Sequence, residues 1–332
     1  MARSARRPVA AAFALALGLL AGCGGGSPAP PVAPAAPAAP VGPGPASGPA
    51  PHAAASGTAQ LPATDAVFRA IEDSYGARVG LYLLDTGTGR TVTYRADRRF
   101  AACSTLKVLA AAALLRQEET DLDRTLTYTR ADVLDHAPVT SRHVATGMAL
   151  RDVMDAALRY SDNTAENLLL RELGGPAGLQ RAVRGLGDAT TRVDRTEPSL
   201  NEAAPGDIRD TSTARALAAD LRALLLGTAL PASRRALLTD WMTRNTTGDP
   251  YIRAALPEGW TAADKTGSGG YGTRNDIAVV RPAARAPLVI AVLTSREHAA
   301  ASSADELIAD VVRAALNALA PPGALSLTPT GR

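Results

Sequence analysis

Strand patterns in this chain fall only at the two ends of the segment 61–321, with helical patterns between them. One sheet must therefore be assembled from the outer parts of the segment. At the front, Val79–Leu84 and Thr91–Tyr94 have strand character and flank the turn-forming Thr86-Gly87-Thr88-Gly89. At the back, Ala262–Thr266, Asp276–Arg281 and Leu288–Thr294 repeat that character. From Ser104 to Leu225 helical spacing dominates, broken by the Gly/Pro-rich 174–178 and the irregular 192–212. Thr64 is placed to cap a first helix through Tyr75, with Val67, Phe68 and Ile71 on one side and Gly76 ending it. Ser303-Ala304-Asp305-Glu306 has the capping-box pattern ahead of an amphipathic helix ending near Leu319. The expectation is a mixed α/β fold with a mainly helical insert.

The rest of the chain carries the charge imbalance. Of 332 residues 35 are basic and 32 acidic, a formal net charge of +3. Arg3, Arg6 and Arg7 supply all three charges, and residues 8 to 64 hold none. The remainder sums to zero, so the basic balance points to no nucleic-acid partner. Those arginines precede an apolar stretch from Val9 to Leu20, too short for a membrane span of about 20 residues. Residues 1–22 thus have the form of an export signal, and Leu20-Ala21-Gly22-Cys23 resembles a bacterial lipobox, with Cys23 the lipidated residue. Arg6-Arg7 hints at twin-arginine export, but the Pro8 that follows counts against it. Residues 23–60 are an uncharged Pro/Ala/Gly-rich tether that cannot bury a core, and 322–332 a short tail. With Cys23 acylated, Cys103 has no partner for a disulfide. His52, His136, His143 and His298 lack metal-site spacing, so neither metal nor cofactor is expected.

Among 33 arginines stand two lysines, Lys107 and Lys265. Arginine stays protonated, whereas lysine can give up its proton where its pKa is depressed, which makes these two positions candidates for proton transfer. Lys107 lies in Ser104-Thr105-Leu106-Lys107. If Ser104 opens the helix running through Leu115, the amine and hydroxyl share one face, and the helix N-terminus favours negative charge there. Lys265 lies in Lys265-Thr266-Gly267, at the end of a strand pattern. Between them is Ser161-Asp162-Asn163, which taken alone is a turn or the cap of a helix through Leu170.

Together S-x-x-K, S-D-N and K-T-G, with Glu197-Pro198-Ser199-Leu200-Asn201 between the last two, resemble the motif set of class A serine β-lactamases. The resemblance spans residues 61 to 320. It implies an α/β fold, an α+β sandwich: an antiparallel five-stranded sheet flanked by N- and C-terminal helices, plus an all-helical lobe. The α/β lobe would hold about 61–95 and 241–321, the helical lobe about 96–240. It implies Ser104 as nucleophile, with backbone N–H groups of Ser104 and Ser268 as oxyanion hole. Ser161 would return a proton to the lactam nitrogen, and Asn163 would hold the substrate amide. Lys265, Thr266, Ser268 and Arg274 would bind the substrate carboxylate. Glu197 would activate the deacylating water with Asn201, and either Lys107 or Glu197 would take the Ser104 proton. Arg195 and Asp210 would close the omega loop, Asp162 would be structural, and the bond before Pro198 would be cis. The implied substrates are penicillins and cephalosporins, attacked by a monomer tethered to a membrane through its lipid alone.

Other readings compete. A penicillin-binding DD-peptidase or transpeptidase, or a β-lactam sensor, could share this fold; Glu197 argues for the hydrolase, because it speeds deacylation. Gly267-Ser268-Gly269-Gly270-Tyr271-Gly272 fits the dinucleotide fingerprint, but Ile277–Val280 after it is a strand pattern where that motif needs a helix. His136 either lines the cleft mouth or is a solvated surface histidine. Cys103, ahead of an apolar helix, is expected to be a packed thiol.

Overall fold

The computed structural model describes residues 62–320, with side chains from Asp65 onward. The expected export signal, Cys23, and the expected tether and tail lie outside the described residues. Helices are α1 (Pro62–Tyr75), α2 (Leu106–Leu115), α3 (Leu150–Arg159), α4 (Asn163–Leu173), α5 (Pro176–Arg184), α6 (Ala214–Leu221), α7 (Ala232–Thr243) and α8 (Glu306–Leu319). Strands are β1 (Arg78–Asp85), β2 (Thr91–Tyr94), β3 (Phe100–Ala101), β4 (Thr125–Leu126), β5 (Met148–Ala149), β6 (Thr211–Ser212), β7 (Thr261–Ser268), β8 (Arg274–Arg281) and β9 (Leu288–Ser295).

The ends do meet. The five-stranded antiparallel sheet has the order β2-β1-β9-β8-β7, with β1 paired to β9 from Arg78↔Ser295 to Asp85↔Leu288. Apart from the edge strand β2, its strands are buried on both faces, so each alternating set of side chains enters a different core. On β9, Leu288, Ile290 and Val292 join Phe68 of α1 and Leu307 and Val311 of α8. Val289, Ala291 and Leu293 join Leu217 and Leu221 of α6 and the whole apolar face of α2. All ten residues of α2 are buried, as expected for a helix that is apolar almost all round; Lys107 is its one charge.

Three expectations are corrected. Helix α1 starts at Pro62, two residues before Thr64; proline suits a first helical position because its missing N–H would be unpaired there. Helix α8 starts at Glu306 without the Ser303 box, and Asp305 accepts from Arg274 instead. Residues 117–149 hold no α-helix. Polar side chains there bond the backbone and replace helical pairing: Asp132 accepts from Thr129 N–H at 2.7 Å, and Tyr128 OH donates to the Thr140 carbonyl at 2.7 Å. The breaks at 174–178 and 192–212 are present, the first with Gly174 and Gly175 at positive φ.

Candidate active site

The site forms where α2, the start of α4, the segment between α5 and α6, and β7 converge. Ser104 sits on a single 3-10 turn, Cys103–Thr105, that leads into α2. Cys103 just before it has φ +49°, a left-handed conformation that costs a non-glycine residue about 1–3 kcal/mol. The turn lies close against β7. A Cβ on Gly267 would come within 3.0 Å of the Ala102 carbonyl, and one on Gly269 within 2.7 Å of Cys103 Sγ. Glycine at these two positions lets the strand carrying Lys265 and Ser268 approach the turn that carries Ser104.

Lys107 is fully buried, one turn along from Ser104. Its Nζ donates to Ser104 Oγ at 2.8 Å, Asn163 Oδ1 at 2.7 Å, Glu197 Oε1 at 3.0 Å and the Ser161 carbonyl at 2.9 Å, with Ser161 Oγ at 3.3 Å. Lys265, also fully buried, donates to Ser161 Oγ at 3.1 Å and to the Thr266 carbonyl at 2.9 Å. Ser161 Oγ thus lies between both lysines. Burial, reinforced by the charge of Lys107, pulls the Lys265 ammonium down to about 7. Thr247 Oγ1 meets Thr266 Oγ1 at 2.6 Å.

Asp162 fixes the second edge. It caps α4 by accepting from Ala165 N–H at 2.9 Å, and takes Val139 N–H at 3.0 Å and Thr140 N–H at 2.9 Å. Ser161, at φ +55°, and Asn163 are thereby aimed at Lys107 from either side of a fixed residue. Glu197 is held by its backbone: Asn167 donates to its carbonyl at 3.0 Å and accepts from its N–H at 2.9 Å. Its Oε1 lies 3.5 Å from Ser104 Oγ, and Asn201 donates to its Oε2. The Glu197–Pro198 bond is cis.

The chain that places a buried serine against a lysine, with a carboxylate on its other side, is similar to known proteins in sequence and fold. A sequence model of the Beta-lactamase enzyme family matches residues 63–319. A β-lactamase of Amycolatopsis lactamdurans is 55% identical over 259 residues, covering 78% of this chain and 86% of that one. The Bacillus licheniformis β-lactamase is 51% identical, covering 76% and 82%. The solved class A β-lactamase from Mycobacterium abscessus superposes with a TM-score of 0.74 at 50% identity, covering 77% of this chain and 99% of that one. The chain belongs to the class A serine β-lactamase family.

Within this class A architecture the segment between α5 and α6 is drawn together by a cluster of charges. Arg195 Nε meets Asp210 Oδ2 at 2.6 Å, and its other nitrogens reach Glu202 at 2.5 Å and Asp207 at 3.7 Å. Asp210 Oδ1 also accepts the N–H groups of Asp194 and Arg195. Arg274 pairs across from Ser268 on β8, but its guanidinium turns to Asp305 at 3.2 Å and to the Thr273 carbonyl. His136 is exposed, with Nε2 3.3 Å from the Tyr160 carbonyl, and its own carbonyl accepts from Asn163 N–H. Cys103 is a buried free thiol that burial, reinforced by Glu197, pushes up to about 12. Among the described residues no group of three or more His, Cys, Asp or Glu side chains could hold a metal ion.

Two β-lactamase site residues escaped the sequence reading: Asn167, which clamps Glu197, and Glu166. The signal was available. Asn163, Glu166 and Asn167 stand at i, i+3 and i+4 on the helix expected after the S-D-N motif, so they share one face.

Proposed function

We propose that this chain hydrolyses the cyclic amide of penicillins and cephalosporins through an acyl-enzyme on Ser104, and so confers β-lactam resistance. The observation that carries this is Glu197, 3.5 Å from Ser104 Oγ and held on both sides by Asn167 and Asn201. A hydrolase needs a base beside its ester; a transpeptidase does not need this one. Lys107, in direct contact with Ser104, and Glu197 are the two groups placed to take the hydroxyl proton. The tetrahedral oxyanion is received by the Ser104 and Ser268 N–H groups. Ser161, between the lysines, returns a proton to the departing lactam nitrogen. Asn163 binds the substrate side-chain amide, while Lys265, Thr266 and Ser268 take its carboxylate. Arg274 would join that subsite only by leaving its pairing with Asp305. Glu197 then activates the water that frees Ser104, with Asn201 orienting it. No step in this sequence requires a metal.

Purified protein is expected to turn over a chromogenic cephalosporin continuously, at the same rate with and without chelator. A single stoichiometric burst with no further turnover would refute hydrolysis and favour the penicillin-binding reading.

The N-terminal pattern supports a second proposal: Cys23 carries a lipid that holds a monomeric catalytic domain at the extracytoplasmic face of a bacterial membrane. Metabolic labelling with a fatty acid is expected to mark the wild-type chain and not Cys23→Ser. Label retained in the variant excludes Cys23 as the anchor.

A further inference from the structure

Glu166 is a buried acid that the catalytic scheme above does not use. It lies on the first turn of α4, is fully buried, and places Oε2 3.4 Å from Lys107 Nζ. Neither of its carboxyl oxygens has a hydrogen-bond partner among the described residues. An ammonium has three protons to donate, yet six oxygens stand within 3.4 Å of this one, those of Ser104, Ser161, Asn163, Glu197 and Glu166. The oxygens therefore compete, and charge decides which of them win.

We propose that Glu166 is a positioning residue for Lys107: as a neutral acid it leaves the ammonium to Ser104, and once ionised it draws the ammonium away. Two carboxyl groups share one buried lysine here. The charged groups that face Glu166 are Lys107 on α2, Glu197 on the segment before α6 and, further off, Lys265 on β7; Cys103 on the turn before α2 is the neighbouring thiol. Helices α3 and α5, which also pack on α4, bury apolar side chains such as Val153, Met154, Leu179 and Val183. Burial, opposed by Lys107 and reinforced by Glu197, pushes the Glu166 carboxyl up to about 8. At neutral pH it keeps its proton and adds no negative charge to the cluster. Above that range the proton passes to solvent, and a second carboxylate competes for Lys107. The same charge opposes the negative charge that develops on Ser104 and the lactam oxygen. Acylation slows as a result.

The proposal rests on Ser104 as the acylated nucleophile, and two measurements separate them. The first is kcat/KM of the full-length protein for a chromogenic cephalosporin, which reports acylation, followed from neutral to alkaline pH. Glu166→Gln keeps the shape and cannot ionise, so its alkaline limb is expected to move up by about one pH unit or more. A purely structural glutamate would change the amplitude or stability and leave the limb in place. An unmoved limb refutes the proposal. A limb that moves down also refutes it, because it assigns the titration to Lys265, whose ammonium loses a nearby negative charge in the variant. The second measurement uses unmodified protein labelled with carbon-13 at the glutamate carboxyls, so it does not depend on the variant folding. One glutamate is expected to be protonated at neutral pH and to titrate near 8; ionisation of every glutamate by neutral pH overturns the idea. Glu197→Ala protein that hydrolyses or binds the cephalosporin without forming any adduct on Ser104 refutes the nucleophile reading, whereas an adduct on Ser104 with an unmoved limb refutes Glu166 alone.

Discussion

Replacing Glu197 by Ala is expected to lower turnover by about 100- to 10,000-fold while a covalent adduct accumulates on Ser104. The two halves of that result come from different contacts. Deacylation loses its base, and Asn201 loses the carboxylate it donates to. Acylation keeps Lys107, whose bonds to Ser104, Ser161 and Asn163 do not involve Glu197. Glu166 stays beside Lys107 as a remaining acid, so the lysine is not left without a carboxyl neighbour. The loop itself should hold its course, because Asn167 grips the Glu197 backbone and Arg195 binds Asp210 whatever side chain stands at 197. Mass spectrometry of protein quenched seconds after mixing with a penicillin checks the adduct, and peptide mapping checks its position. Wild-type turnover, or an adduct on any other residue, would refute the assignment.

Replacing Asp162 by Ala is expected to destabilise the fold by about 3–5 kcal/mol, the largest stability effect of any single site residue. The carboxylate is fully buried and accepts from three backbone N–H groups, those of Val139, Thr140 and Ala165, and from the Thr140 hydroxyl. Alanine leaves these donors buried without acceptors, each at a cost of about 1–3 kcal/mol before relaxation. In a domain of this size the loss corresponds to a fall in Tm of about 10 °C, measurable by scanning calorimetry. Activity should fall with it, since Ser161 and Asn163 are aimed by the residue between them. Asp162→Asn keeps one carbonyl acceptor and should lie between the two. A change in Tm below about 2 °C for the alanine variant would show that the loop and α4 are fixed by other contacts.

Much of this arrangement is legible in the chain. The two lysines among 33 arginines mark the site, and both are fully buried there. Apolar strand runs at each end foreshadow the β1–β9 pairing, because only mutual pairing could bury them. Stretches where side chains bond the backbone were less legible. Residues 117–149 contain enough helical spacing to suggest helices, yet Asp132, Thr129 and Tyr128 satisfy the backbone locally instead. At the start of α8 the expected capping box is absent, and Asp305 there pairs instead with Arg274, 31 positions away.

By itself the sequence determined the chemistry available: a serine one helical turn from a lysine, a second lysine ending a strand, and a glutamate and asparagine in one irregular loop. Those follow from local spacing, and local spacing is fixed by covalent geometry. Tertiary packing alone decided the partners. It turned Arg274 toward Asp305, clamped Glu197 with Asn167, and crowded six oxygens around three protons at Lys107. Glu166 shows the reason most directly. On a bare helix it is an ordinary acid on a polar face; against α2 and the loop it loses its water and shares a buried charge, and only the assembled core imposes that.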